Sequence, residues 1–212
     1  SSWRSLAPYM RATPKTGKTS GITKTRMSET YTISRIDVIK GTSDVDLTGL
    51  PDLLLEHEDN RLDLDPSNTH YEDSHCPDHP IVDRIVDDLI DAFKAETDLD
   101  LKLHSKWAHI HHKNMSTNIH DHYPSDVSAV FYVSVPEGSG NICFHPSHNK
   151  YHPRREVFES QQGMFLMFPG TLEHSVTRNH SESPRISLSF NFSIIDNDQY
   201  SYKQRRSQGD DR

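Results

Sequence analysis

"RISLSFNFSI", residues 185–194, is the stretch from which the fold can be read. Taken with period two, Ile186, Leu188, Phe190, Phe192 and Ile194 share one face, and Arg185, Ser187, Ser189, Asn191 and Ser193 share the other. That alternation is a β-strand with one greasy and one polar side. If the greasy face packs outward under a helix, Arg185 and Ser187 point inward, where a guanidinium fork and a hydroxyl bind a carboxylate in bidentate fashion. A guanidinium buried without an anion is costly, so the strand predicts an anionic ligand.

The neighbouring sequence has the same texture. After residue 100 come "KLHSKWAHIHH", "SAVFYVSV", "GNICFHP", "GMFLMFP" and "LEHSVTRN", short runs separated by Pro, Gly, Asn and Ser. They are spaced as an antiparallel sandwich or barrel requires. Before them, "DHPIVDRIVDDLIDAFKAETD" places Ile81, Val82, Ile85, Val86, Leu89, Ile90 and Phe93 at helical spacing, with Pro80 at an early helical position. This helix is expected to pack on an outer face of the β half, with its acidic side in solvent.

Composition limits the function classes. The chain has 212 residues, 33% of them hydrophobic, and a formal net charge of −8. That suits one domain with a real core and argues against nucleic acid or an anionic membrane as partner. Cys76 and Cys143 are too few for a disulfide framework and fit a reducing cytoplasm. Residues 1–26 carry six basic and no acidic residues and read as a flexible tail, or as a scar preceding a start at Met27. Residues 27–100 form an N-terminal strand and support helices, 101–196 the catalytic core, and 197–212 a polar C-terminal tail.

Eleven of the fifteen histidines fall between His104 and His180. In "NIHDHYP", residues two apart on an extended chain face the same way, so His120 and His122 can share one ion while Asp121 faces away. His174, just beyond a Pro-Gly turn in "FPGTLEHSV", is the candidate third ligand. Nitrogen donors with coordination positions left open suit iron or another divalent metal. His109, His111 and His112 in "WAHIHH" alternate along a neighbouring strand and are read as structural or surface residues, in preference to one of them lining the cavity as a substrate contact. The segment with His145, His148, His152, Arg154 and Arg155 is read as a solvated loop.

The ordered set H-x-H, "SAVFYVSVPEGSGNICFHP", "GMFLMFPGTLEHSV" and "RISLSFNF", over about residues 105 to 194, resembles the 2-oxoglutarate- and Fe(II)-dependent oxygenases of the prolyl-hydroxylase-like type. The resemblance implies a mainly β fold with flanking helices, a double-stranded β-helix (jelly-roll) barrel, with Fe(II) at its mouth. It further implies 2-oxoglutarate held by Arg185, Ser187 and Tyr132, and a dioxygenase that hydroxylates its substrate with release of succinate and CO2. One position departs from the His-x-Asp or His-x-Glu pattern of that superfamily, because His122 stands where the carboxylate is expected. Strand parity selects His120, His122 and His174, whereas a bulge would turn Asp121 inward instead. The alternatives are a cupin-like three-histidine metalloenzyme that does not use 2-oxoglutarate, and a non-enzymatic β-sandwich. The expected partners are a small-molecule or protein side-chain substrate and molecular oxygen, with a homodimer allowed and no membrane.

Overall fold

A computed structural model describes residues 36–58, 74–146 and 154–195. The tails expected at 1–26 and 197–212, together with His148 and His152, lie outside the described residues. The order of elements is β1 (Ile39–Thr42), α1 (Leu50–Glu56), β2 (Ser74–His75), α2 (Pro80–Thr97), β3 (Asp100–His111), β4 (Thr117–His120), β5 (Val127–Ser134), β6 (Ile142–Phe144), β7 (Glu156–Phe158), β8 (Met164–Pro169), β9 (His174–Val176) and β10 (Arg185–Ile195).

α2 begins where its sequence supplies a cap. The His79 side chain accepts a hydrogen bond from the Ile81 N–H at 3.2 Å, and Pro80 fills the first helical position. It ends at Asp98 in the left-handed region, φ 66°, whose N–H donates to Lys94 O at 2.9 Å. Val82, Ile85, Leu89 and Phe93 are fully buried against the sheet, as the helical spacing predicts. Each contributes roughly 1.5–3 kcal/mol by leaving water, which is what holds this acidic helix in place.

The strands form two antiparallel sheets, one of six strands in the order β1-β8-β5-β10-β3-β2 and one of four in the order β4-β9-β6-β7. The expected double-stranded β-helix barrel is therefore corrected. The arrangement is jelly-roll-like, but each sheet is open, with β1 and β2 at the edges of one and β4 and β7 at the edges of the other among the described residues. The physical reason is strand length. β4 has four residues and β7 three, too short to leave one sheet and continue a ladder into the other.

The six-stranded sheet separates two cores. Toward α2 it sends Ile186, Leu188, Phe190 and Phe192 of β10 with Phe131 and Val133 of β5. Toward the smaller sheet it sends Val130, Tyr132, Leu166 and Phe168, which pack with Ile142 and Phe144. β3 carries one extra residue: Asn191 pairs with Ser105 and Phe192 with Leu103, so His104 is bulged out. The bulge switches parity. Leu101 and Leu103 face α2 before it and Ala108 and Ile110 face α2 after it, which leaves Trp107, His109 and His111 on the opposite side.

Candidate metal centre and its cavity

The two histidine-bearing segments are joined by backbone. β4 ends at His120, which pairs in register with His174 of β9. Beyond the strand the chain stays tied, because the His122 N–H donates to Gly170 O at 2.7 Å and the Gly170 N–H donates to Asp126 O at 3.1 Å. A Cβ at Gly170 would sit 2.1 Å from Ser125 O, so this close approach requires glycine. Asp121 turns outward, and its carboxylate accepts the Tyr123 N–H at 3.1 Å.

His120, His122 and His174 thus form a cluster whose donor atoms all lie within 4.8 Å of one another. Nδ1 of His174 is 2.9 Å from Leu172 O, and Nδ1 of His120 is 2.9 Å from Asn118 O. A carbonyl only accepts, so both Nδ1 atoms are donors and the lone pair of each neutral ring falls on Nε2. Nε2 of His122 lies 3.2 Å from Nε2 of His174. Burial, then the nearby His120, pushes His122 down to about 4 and His174 to about 3. The rings are consequently in the neutral form that a metal requires. Phe168 packs edge-on to His174 at 4.8 Å and gives the cluster an apolar wall. The donor set fits a divalent metal ion, with nitrogen ligands alone and no carboxylate.

Arg185, 1% exposed, lines the same cavity. Its guanidinium donates to His111 Nδ1 at 3.2 Å and to Gly140 O at 3.4 Å, while Nε has no partner. Because Nδ1 of His111 accepts, that ring carries its proton on Nε2, which lies 2.8 Å from Thr117 Oγ1. Burial and the Arg185 charge hold His111 well below the usual imidazole range. Burial likewise pushes the Tyr132 phenol up, partly offset by Arg185. Tyr132 and Ser187, 1% and 2% exposed, line the cavity beside Arg185. No carboxylate among the described residues pairs with Arg185, so an anionic ligand would supply a missing counter-charge.

The six residues singled out from sequence therefore meet in one cavity. Sequence reasoning missed Thr117, which lines the cavity, and Trp107, which packs against His122 and His109. A structural or surface role was preferred for His109 and His111 over a place in the cavity for one of them, and both line it. His112, by contrast, sits outside and pairs with Glu58 at 2.7 Å. His145 bonds Ser175 at 2.9 Å, and Arg154 pairs with Glu156 at 2.7 Å on the surface, away from the cluster.

Residues 105–191 match the family model described as "Putative 2OG-Fe(II) oxygenase". A search of curated proteins found no match. Among solved structures, the chain is similar to a prolyl-4-hydroxylase from Pseudomonas putida, with 15% identity, a TM-score of 0.51 and coverage of 74% of this chain and 86% of that one. It is similar also to a viral collagen prolyl hydroxylase from Paramecium bursaria Chlorella virus-1, with 13% identity, a TM-score of 0.51 and coverage of 74% and 90%. An oxidoreductase of the 2OG-Fe(II) oxygenase family from Burkholderia pseudomallei matches with 16% identity and a TM-score of 0.46 over 56% of this chain, which spans 61% of that structure. For the two hydroxylases, at 15% and 13% identity, the likeness is one of fold alone.

Proposed function

We propose, for a chain with family-level homology to the 2OG-Fe(II) oxygenases over residues 105–191, a metal-dependent enzyme in which His120, His122 and His174 hold one divalent ion. The carrying observation is the all-histidine cluster, with Asp121 turned to solvent and bound to the Tyr123 N–H. A neutral ligand set fits a cupin-like three-histidine metalloenzyme that does not use 2-oxoglutarate better than a site with one carboxylate. When bound, a divalent metal there supplies Lewis-acid or redox activation of an oxygen-bearing ligand. The protein's own residues do the rest. Leu172 and Asn118 carbonyls orient His174 and His120. Phe144 and Phe168 exclude water from the His174 side. Arg185, oriented by His111 and Gly140, binds a carboxylate of the bound molecule.

One observation favours a second reading, that of an Fe(II)- and 2-oxoglutarate-dependent dioxygenase that releases succinate and CO2. Arg185 is buried with Nε unpartnered, and Tyr132 and Ser187 line the same cavity. In that reading the three residues hold the distal carboxylate of 2-oxoglutarate. Anaerobic titration of the iron-loaded protein with 2-oxoglutarate separates the two. The leading reading expects metal uptake with no charge-transfer band on adding 2-oxoglutarate and no succinate produced. A band that appears in the native protein and disappears in Arg185→Met replaces it with the second. Failure to bind any divalent metal removes both.

A further inference from the structure

His109 and His111 line the cavity from β3, with Trp107 on the same face of the strand, and the hydrogen bonds of these residues set the two histidines in opposite tautomers. His111 has both ring nitrogens engaged, Nδ1 by Arg185 and Nε2 by Thr117. His109 is different. The Trp107 indole N–H donates to His109 Nε2 at 2.7 Å, and an indole N–H cannot accept, so the neutral His109 ring carries its proton on Nδ1. No hydrogen bond to Nδ1 occurs among the described residues. Nor is it one of the sealed side-chain atoms without a partner, which are Ser139 Oγ, Ser160 Oγ and Arg185 Nε. The ring lines the cavity together with the three clustered histidines and Arg185. Trp107 also packs against His122, with ring centroids 5.4 Å apart, so one indole braces a cluster histidine and fixes the proton on His109.

We propose that His109 is a substrate-orienting donor, presenting Nδ1–H to an oxygen acceptor, a carboxylate or carbonyl, of the molecule bound at the cluster. Burial, with the Arg185 charge next, pushes His109 down to about 3, which keeps the ring neutral across the working range. The donor acts by position and exchanges no proton. Arg185 lines the same cavity, so the two groups fix a bound acid at two points. This inference rests on the reading that the cluster holds a metal.

The test has two arms. Long-range proton–nitrogen correlation spectra of histidine-labelled protein loaded with zinc should show His109 protonated at Nδ1, and Trp107→Phe should shift it toward a mixture of tautomers. Acetate titrated into the cobalt-loaded protein, followed by visible absorption, should bind about tenfold more weakly in His109→Leu, the equivalent of one hydrogen bond to a charged group. Cobalt affinity should stay unchanged, and His109→Asn, which keeps an N–H donor, should recover part of the loss. A proton found on Nε2, or acetate bound equally well by His109→Leu, overturns the proposal. A native protein that takes up no cobalt overturns the metal reading and this inference with it.

Discussion

On β10, Leu188 and Phe190 point toward α2 while Ser187 and Ser189 point into the cavity, and the two faces of one strand answer to different physics. The α2 side is held by area alone: its side chains are apolar and interchangeable in kind, and their value lies in filling space. On the cavity side every group needs a partner of the right chemistry. His111 has two and Arg185 is short of one. One face therefore makes the protein stable, and the other draws on that stability to keep polar groups out of water.

The sharpest test of this division is Phe190→Ala, which should cost about 3–5 kcal/mol in a denaturant melt and leave the metal stoichiometry of the folded fraction unchanged. Equal losses of stability and of metal binding per folded molecule would break the comparison.

Next in size is the effect of pH on the metal-free protein. His111 is held neutral in the fold, facing Arg185 from β10 with His109 and His112 beside it, whereas in the unfolded chain it titrates near 6.5. Below that value the unfolded state takes up a proton that the folded state refuses, so stability falls as pH falls. The expected slope from this group is up to about 1.4 kcal/mol per pH unit, present below pH 6.5 and absent above it. His111→Gln should flatten that slope in melts across the pH range, and an unchanged slope would show that His111 is not kept neutral.

A smaller change comes from Asp121→Ala, which removes a turn hydrogen bond worth about 1 kcal/mol. Zinc calorimetry should give the native stoichiometry for that variant, whereas His122→Ala should lose more than about 100-fold in affinity, beyond what an outer-shell partner costs. The reverse result would make Asp121 the ligand. The smallest effect is expected at Cys76, in the core under α2, whose thiol burial pushes up to about 11. It should stay unlabelled by thiol reagents at pH 8 while the protein is folded.

Much of this division can be read from residue spacing. Alternation in "RISLSFNFSI" put Arg185 and Ser187 on the cavity side, and helical spacing in 81–93 identified the buried edge of α2. β4 was legible only as an extended segment at His120, because "TNIH" has no apolar alternation, and β7 escaped notice because three residues carry no period. Sheet closure was not legible at all, since which edges pair depends on contacts remote in sequence. Which face of β3 meets the cavity is hidden in the sequence for a local reason. Counting from Leu101 and Leu103 places odd-numbered residues of β3 against α2, and the bulge at His104 reverses that count. The usable signal lay after the bulge, where Ala108 and Ile110 repeat the apolar pattern of β10 and leave the odd positions to the cavity.

Gly170 gives the cluster a place in the order of folding. His122 and His174 are 52 residues apart in the chain, and they meet because the Gly170 backbone lies against residues 122–126 with no room for a side chain. Metal uptake at the cluster thus requires a contact that no single segment can form by itself, so in a refolding experiment it should trail the appearance of secondary structure and report the docking of the two segments. A side chain at position 170 should accordingly pry the ligands apart without touching any of them.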